Sequence, residues 1–300
     1  MKHLKLTVKT LMVAVAVTLT SPFMAKADEA KGKPNVLIDY FERPDDVPFL
    51  CAEQLRSYVM EGIANTKRIE LVDVDSQESL AINAEKRKSN SPIASEAERL
   101  KAMSDLGSAF LIQGRISSLN IEEKTNDNGD KYYTGQISYT LKVINPADGK
   151  LILTKTMKHG GELLNLETSS TSDEAVTKVC RNAVKGVVPF IQEAFPLYGT
   201  LLECDDVKGD KVNSVYMDLG SIHGVAEKDR FEVCIMREIA GRKSAKPIGE
   251  CEVASVEGDD ISSAKIKKGH KEIKAAVDAG QTIVFKSMPK KEVPWGNVRL

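Results

Sequence analysis

Between Met217 and Val233 the chain reads MDLGSIHGVAEKDRFEV, which sets Ser221 and His223 two residues apart between Gly220 and Gly224. A serine beside a histidine is the raw material of nucleophilic catalysis, and closely spaced glycines are that of a phosphate cradle. The first needs G-x-S-x-G on a strand-to-helix turn. Here the serine stands one place early and the residues that follow read as a strand. A serine and a histidine two residues apart in a turn also seldom meet in hydrogen-bond geometry. The second needs a helix N-terminus directly after the glycines, and none is predicted. The stretch therefore reads as a turn in a small β-domain. Gly220 and Gly224 relieve a tight connection there, and Val225 and Phe231 bury apolar bodies on either side.

The other chemistry-bearing residues are as isolated. NDNGD (Asn126 to Asp130) has the oxygens of a calcium loop without its distal glutamate, so no metal is expected. His159, His223 and His270 have no ligand-spaced partner. With no convergent acid, base, nucleophile or ligand set, the chain is expected to be a non-enzyme without cofactor or metal, working by binding. One charged run stands out. KIKKGHKEIK gathers Lys265, Lys267, Lys268, His270, Lys271 and Lys274 within ten residues. Such a run is either a solvated loop or edge-strand guard, or a contact for an anion such as lipopolysaccharide, a phospholipid headgroup or an acidic partner.

The N-terminus sets the compartment. Lys2, Lys5 and Lys9 precede the apolar run Leu11 to Phe23, which is short of the roughly 20 residues that span a bilayer. Ala25-Lys26-Ala27 then offers a small-x-small cleavage site. Residues 1–27 read as a cleaved signal peptide, with an uncleaved anchor as the alternative. No cysteine stands at the cleavage point to carry a lipid. The chain is expected in the periplasm, with peripheral membrane association at most. Over 300 residues the net charge is −1; without the leader, 38 basic and 43 acidic side chains leave −5. That balance excludes nucleic acid as a partner.

The elements that position these residues fall into two groups. Asn35 to Phe41 is an apolar run of strand length, and Cys51, Leu55, Val59 and Ile63 then recur every four residues as an amphipathic helix. Arg68 to Asp75 is a second strand; Gln77 to Lys88 and Ser95 to Leu106 are helical. Beyond Gly107 the period becomes two. Ala109 to Glu123, Gly135 to Ile144 and Leu151 to Lys158 form a meander, with NDNGD and Pro146 to Gly149 as hairpin turns. A closing helix starts at Thr171, with Glu174 at capping-box spacing. Val176, Cys180, Val184, Val187 and Ile191 form its stripe, and Pro189 kinks its last turn. Short strands occupy the remainder. The boundary falls near Phe195 to Gly199.

Five cysteines, Cys51, Cys180, Cys204, Cys234 and Cys251, form no C-x-x-C, so neither zinc nor a redox dithiol motif is indicated. An odd number in an oxidising compartment leaves one thiol over. Antiparallel pairing of Asp229 to Arg237 with Gly249 to Glu257 around a symmetric loop would set Cys234 opposite Cys251, at disulfide distance. Cys51 and Cys180 lie on buried helix stripes and are expected to be core residues. Cys204 is then the odd thiol.

Three stretches carry a resemblance. The opening NVLIDYF…LRSYVMEGIANTKRIELVDVDSQESL, the step LGSAFLIQGRIS (Leu106 to Ser117) and the hairpin LKVINPADGKLILTKTMKHGG (Leu141 to Gly161) resemble CsgG-type domains, in that family's order. The family includes the curli secretion channel, the penicillin-binding-protein activator LpoB and TolB N-terminal-like domains. GTLLECD…KVNSVYMDLGSIHGVAEKDRFEV and ECEVASVEGDDISSAKI resemble the C-terminal β-domain of the flagellar assembly protein FlgT, with Lys228 where that pattern has glycine. The resemblance implies an α/β domain at 34–195 (a mixed sheet with helices), a small all-β barrel-like domain at 198–288 and a tail at 289–300. It also implies an accessory or scaffold role in envelope assembly or export, through protein partners and self-association at strand edges. The alternatives are a curli-type channel subunit or an activator of a cell-wall synthase. The polar stretch Glu122 to Tyr133 does not suit a membrane hairpin, which needs alternating apolar strands of about ten residues.

Overall fold

The computed structural model describes residues 32–82, 84–89, 96–160 and 168–290. The leader assigned to 1–27 and most of the tail at 289–300 lie outside the described residues. The fold is the expected one: a mixed sheet with helices, followed by a closed all-β barrel.

The sheet has five strands in the order β2-β1-β3-β4-β5: β1 (Asn35–Glu42), β2 (Glu70–Asp73), β3 (Phe110–Thr125), β4 (Lys131–Ile144) and β5 (Leu151–Gly160). β1 runs parallel to both β2 and β3, whereas β3, β4 and β5 form an antiparallel meander. A strand between two parallel neighbours is covered on both faces, which is why β1 reads as a continuous apolar run. Val36 and Ile38 enter the main core, and Leu37 enters a smaller one on the opposite face. In β4 the alternation survives: Ile137, Tyr139, Leu141 and Val143 are buried in the main core.

Helix α1 (Phe49–Asn65) lays Cys51, Leu55, Val59 and Ile63 on that core. The helix expected over Gln77 to Lys88 shrinks to α2 (Ala84–Lys88). Leu80 is drawn into the smaller core, and the Tyr40 hydroxyl accepts the Ile82 N–H at 3.0 Å, so the chain before α2 is held as turns. Helix α3 (Glu96–Asp105) covers the smaller core with Met103.

The single closing helix is two. α4 (Ser172–Asn182) opens on Thr171, whose Oγ1 accepts the Glu174 N–H at 3.2 Å, and α5 (Val184–Ala194) follows a break at the buried Ala183. Pro189 sits inside α5, and its ring crowds the carbonyl four residues back, at Lys185, in the turn beside the break. The buried stripe shifts with the break: Val179, Ala183 and Phe190 are buried, while Val176 and Val184 are only half-buried.

β6 (Tyr198–Lys208), β7 (Lys211–Met217), β8 (Arg230–Ile239), β9 (Arg242–Val256), β10 (Ser262–Lys268) and β11 (Ile283–Ser287) close a barrel in the order β10-β7-β6-β11-β8-β9, with every pairing antiparallel. Phe231, Val253, Ala264 and Phe285 fill it, and helix α6 (His270–Asp278) packs Ile273 against them.

A buried joint connects the sheet to the barrel. Arg68, between α1 and β2, donates from Nη1 to Phe195 O at 3.2 Å and to Ser287 Oγ at 3.0 Å. The same Ser287 Oγ accepts the Leu197 N–H at 2.8 Å. Burial lowers the Arg68 pKa to about 10, opposed by the negative charge of Asp229. Asp229 is itself buried; its Oδ2 accepts the Ala226 N–H, and its Oδ1 lies 3.3 Å from Lys290 Nζ as an ion pair without a hydrogen bond.

Candidate functional site

The turn at Gly220–Gly224 belongs to this joint. Ser221 to His223 make one 3-10 turn between β7 and β8, and Gly224 follows at φ +76°. Ser221 Oγ donates to Asp259 Oδ1 at 3.1 Å, while His223 Nδ1 accepts the Gly220 N–H at 3.1 Å. Hydroxyl and imidazole thus serve different partners, and neither activates the other. A Cβ on Gly220 would fall 2.5 Å from the Asp259 backbone, and one on Gly224 would fall 2.0 Å from Thr66 O. The glycines permit close backbone approach, the first to the β9–β10 hairpin and the second to the C-terminal end of α1.

The densest polar cluster lies where β1 and β2 end, the edge at which open α/β sheets commonly bind ligands. Three guanidinium groups surround the Tyr40 ring: Arg87 at 4.4 Å, Arg56 at 5.1 Å and Arg99 at 5.8 Å from its centroid. Each arginine also has its own carboxylate. Arg99 pairs with Asp39, Arg56 with Asp73, and Arg87 with Glu53 at 2.7 Å. Tyr40 donates to Asp75, and burial followed by this bond pushes the phenol upward. The charges are met from within, and the cluster clasps the connection between β2 and α3. Its one sequence signal is Asp39, a carboxylate inside an otherwise apolar strand.

The open part of the sheet is different. Among the described residues α1, α4 and α5 cover one face, but α3 and its small core reach only β1, β2 and the start of β3 on the other. Beyond them that face carries Arg115, Thr140, Lys142, Thr154, Thr156 and Lys158. The register sets Arg115 beside Thr140, Thr140 beside Thr156, and Lys142 beside Thr154. The Thr140 and Thr156 hydroxyls meet at 2.8 Å. Glu42, Gln113 and Gly114 join Arg115, Thr140 and Lys142 around a shallow depression of 190 Å³. Glu42 is the one carboxylate in that lining, and it lies 3.8 Å from Arg115 with both side chains more than 70% exposed, which is a weak pair. The face is polar and cationic.

The lysine run does not converge on one point. Lys265, Lys267 and Lys268 lie on β10, while His270, Lys271 and Lys274 lie on α6. Lys267 pairs with Glu252 at 3.0 Å, Lys268 with Glu250 at 2.7 Å, Lys271 with Asp210 at 2.7 Å, and Lys274 with Asp278. His270 Nδ1 lies 2.8 Å from Val212 O, and Lys265 is exposed. His159 stacks on Tyr139 at 5.7 Å. In NDNGD, Asn126 Oδ1 accepts the N–H groups of Asn128 and Asp130, so it closes the turn. Among the described residues no group of three His, Cys, Asp or Glu side chains is placed to hold a metal ion.

The disulfide expected between Cys234 and Cys251 is not formed, and both are free thiols. The β8–β9 loop is a two-residue turn, Ala240 and Gly241 at φ +50° and +76°, tighter than the symmetric loop expected. With a bulge after Val233, the register sets Cys251 opposite Phe231 and Cys234 opposite Pro247. The two sulfurs also differ in face. Cys251 points into the barrel core, whereas Cys234 lies beside the Glu232 carboxylate at 3.6 Å. Burial pushes the Cys234 thiol up to about 11 and that of Cys251 to about 12. Another pair was missed: Cys51 and Cys180 bring their sulfurs to 3.6 Å in the main core.

No protein-family model matches the chain, and no curated protein does. Among solved structures, the PelC dodecamer from Paraburkholderia phytofirmans is similar at 10% identity, with 55% of this chain and 89% of that chain covered and a TM-score of 0.33. The LpoB C-terminal domain from Escherichia coli matches at 14% identity over 46% of this chain and 92% of its own, with a TM-score of 0.30. The hypothetical protein CT253 from Chlamydia trachomatis matches at 12% identity over 55% and 98%, with a TM-score of 0.33. Likenesses at this level carry nothing about activity or partner. Among the described residues no helix is long and apolar enough to cross a membrane.

Proposed function

We propose that the chain is a non-enzymatic accessory protein of the cell envelope, exported to the periplasm, that docks an acidic protein surface onto the open face of its sheet. The observation that supports this is the face of β3, β4 and β5 that no helix among the described residues covers, where Arg115, Lys142 and Lys158 stand among threonines. In a mature chain of net charge −5 such a face is an exception. An open polar surface offers little enclosure to a small molecule, whereas a protein can cover it, with opposite charge steering the encounter. The leader-like N-terminus supports export. The resemblance to the CsgG and LpoB family supports work on an envelope assembly, and an activator of a cell-wall synthase would present the same face to its enzyme.

Photo-crosslinkers placed at Thr140 and Thr156 in the exported chain test this reading. The expected result is one dominant protein adduct, lost in the double variant K142E/K158E and weakened by salt, with the melting midpoint unchanged. Adducts that survive both the charge reversal and the salt, or the absence of any adduct, would overturn the docking face. Light scattering of the chain from Asp28, prepared without detergent, separates the channel alternative: a monomer or dimer excludes a closed ring.

A further inference from the structure

Two of the five cysteines touch each other. Cys51, in the first turn of α1, and Cys180, in the last turn of α4, are separated by 129 residues, and their sulfurs lie 3.6 Å apart with no side chain between them. Both are buried, at 1% and 0% exposure, in the core shared by α1, α4 and α5. Buried cysteines commonly act as small apolar residues. The contact here is sulfur to sulfur, and a disulfide needs those atoms to close to about 2.05 Å, a movement of side-chain scale.

We infer that Cys51 and Cys180 are a disulfide site, a staple between α1 and α4 that forms when the chain folds in the presence of a disulfide oxidant. The two sulfurs are not equivalent. The contact with Cys180 lowers the Cys51 thiol, and its place at a helix N-terminus acts in the same direction. Cys180 stands in the last turn of α4, and its contact with Cys51, followed by burial, pushes its thiol up. When α4 opens from an intact α1, Cys51 keeps its place at the helix N-terminus and is the attacking sulfur. Its thiolate displaces one thiolate from the oxidant and leaves a mixed disulfide on Cys51. The Cys180 thiolate then attacks the Cys51 sulfur and expels the second. Both protein thiols lose their protons, the two sulfurs give up two electrons together, and the oxidant leaves as two thiols. Burial of the pair requires this to happen during folding or during an opening of α4 from α1.

The other cysteines do not compete. In the folded chain Cys234 and Cys251 lie on opposite faces of β8 and β9, and Cys204 lies on β6. The expected product has one internal disulfide and three thiols.

The test is refolding of the full chain from denaturant in a buffer of reduced and oxidised glutathione, followed by alkylation, digestion and mass spectrometry. The expected result is one linked peptide pair holding Cys51 and Cys180, with Cys204, Cys234 and Cys251 alkylated. The melting midpoint should rise by about 10 °C over the reduced protein, the effect of closing a long loop in a chain of this size. In the double variant C51A/C180A the same buffer should move the midpoint by less than about 2 °C. Five alkylated thiols in a folded product, or a bridge that involves Cys204, would overturn the inference. So would a linked pair that survives in C51A/C180A. The variant C234S/C251S should keep both the linked pair and the shift, and loss of either there would count equally against it.

Discussion

Arg68 and Ser287, 219 residues apart, meet at 3.0 Å, and this hydrogen bond ties the sheet to the last strand of the barrel. The arginine is buried and reaches Phe195 O and Gln192 O with the same nitrogen. Arg68→Met is expected to cost about 3 kcal/mol, since it strands three acceptors and leaves Asp229 to Lys290 alone. Ser287→Ala should cost about 2 kcal/mol, because it leaves the Leu197 N–H unmet as well. Urea unfolding followed by circular dichroism measures both. The folded guanidinium has a lowered pKa of about 10, so it titrates before the unfolded one. Its linkage raises stability with pH only above about 10, and the gap between wild type and Arg68→Met should stay flat from pH 5 to 9.

Gly224 separates two effects that glycine substitutions usually mix. It has φ +76° and also lies against Thr66 O, whereas Gly209 has φ +58° and open space around its Cβ position. Gly209→Ala is expected to cost about 1 kcal/mol, the left-handed conformation alone. Gly224→Ala should cost about 3 kcal/mol, because the joint must also shift. Equal costs at the two positions would show that the approach to Thr66 gives way freely.

The start of α4 gives a pH test. Glu174 accepts from the Ser170 N–H and hydroxyl and pairs with Lys178, and these contacts, Lys178 first, hold its carboxyl down at about 2. A depressed carboxylate contributes stability above its unfolded pKa and loses it as pH falls through the folded one. Glu174→Gln should therefore be less stable than wild type at pH 7, with the difference closing between about pH 4.5 and pH 2. Solvent exposure keeps the difference small. Thr171→Ala removes the cap itself and should cost about 1 kcal/mol at any pH in that range, measured by thermal melts.

Local signals made most of the elements legible. The four-residue spacing of Cys51, Leu55, Val59 and Ile63 is the buried stripe of α1, and the alternation from Ile137 to Val143 is the core face of β4. The hairpin turn at Asn126 to Asp130 lies where its glycine and asparagines set it. What failed depended on registers that no local pattern encodes. The Cys234–Cys251 expectation needed a loop length, and a two-residue turn moved the ladder. Cys51 and Cys180 were each read as core residues, and only the packing of α4 on α1 shows that they share one spot. The open cationic face was invisible because Arg115, Lys142 and Lys158 come from three strands, and each alone reads as an ordinary solvated charge.

The barrel's first and last strands are hydrogen-bonded neighbours, with Tyr198 beside Lys286 and Thr200 beside Val284. The chain leaves α5, travels round the barrel and returns, so that the Lys290 amide rests 2.8 Å from Gln192 Oε1 on the helix it departed from. The barrel is thus a detour with a shared entrance and exit. Its entrance and exit lie side by side on α5, while Arg68 and Gly224 tie its wall to the α/β unit. A pull on its two ends would part β6 from β11 rung by rung, like a zip, instead of shearing all the rungs together.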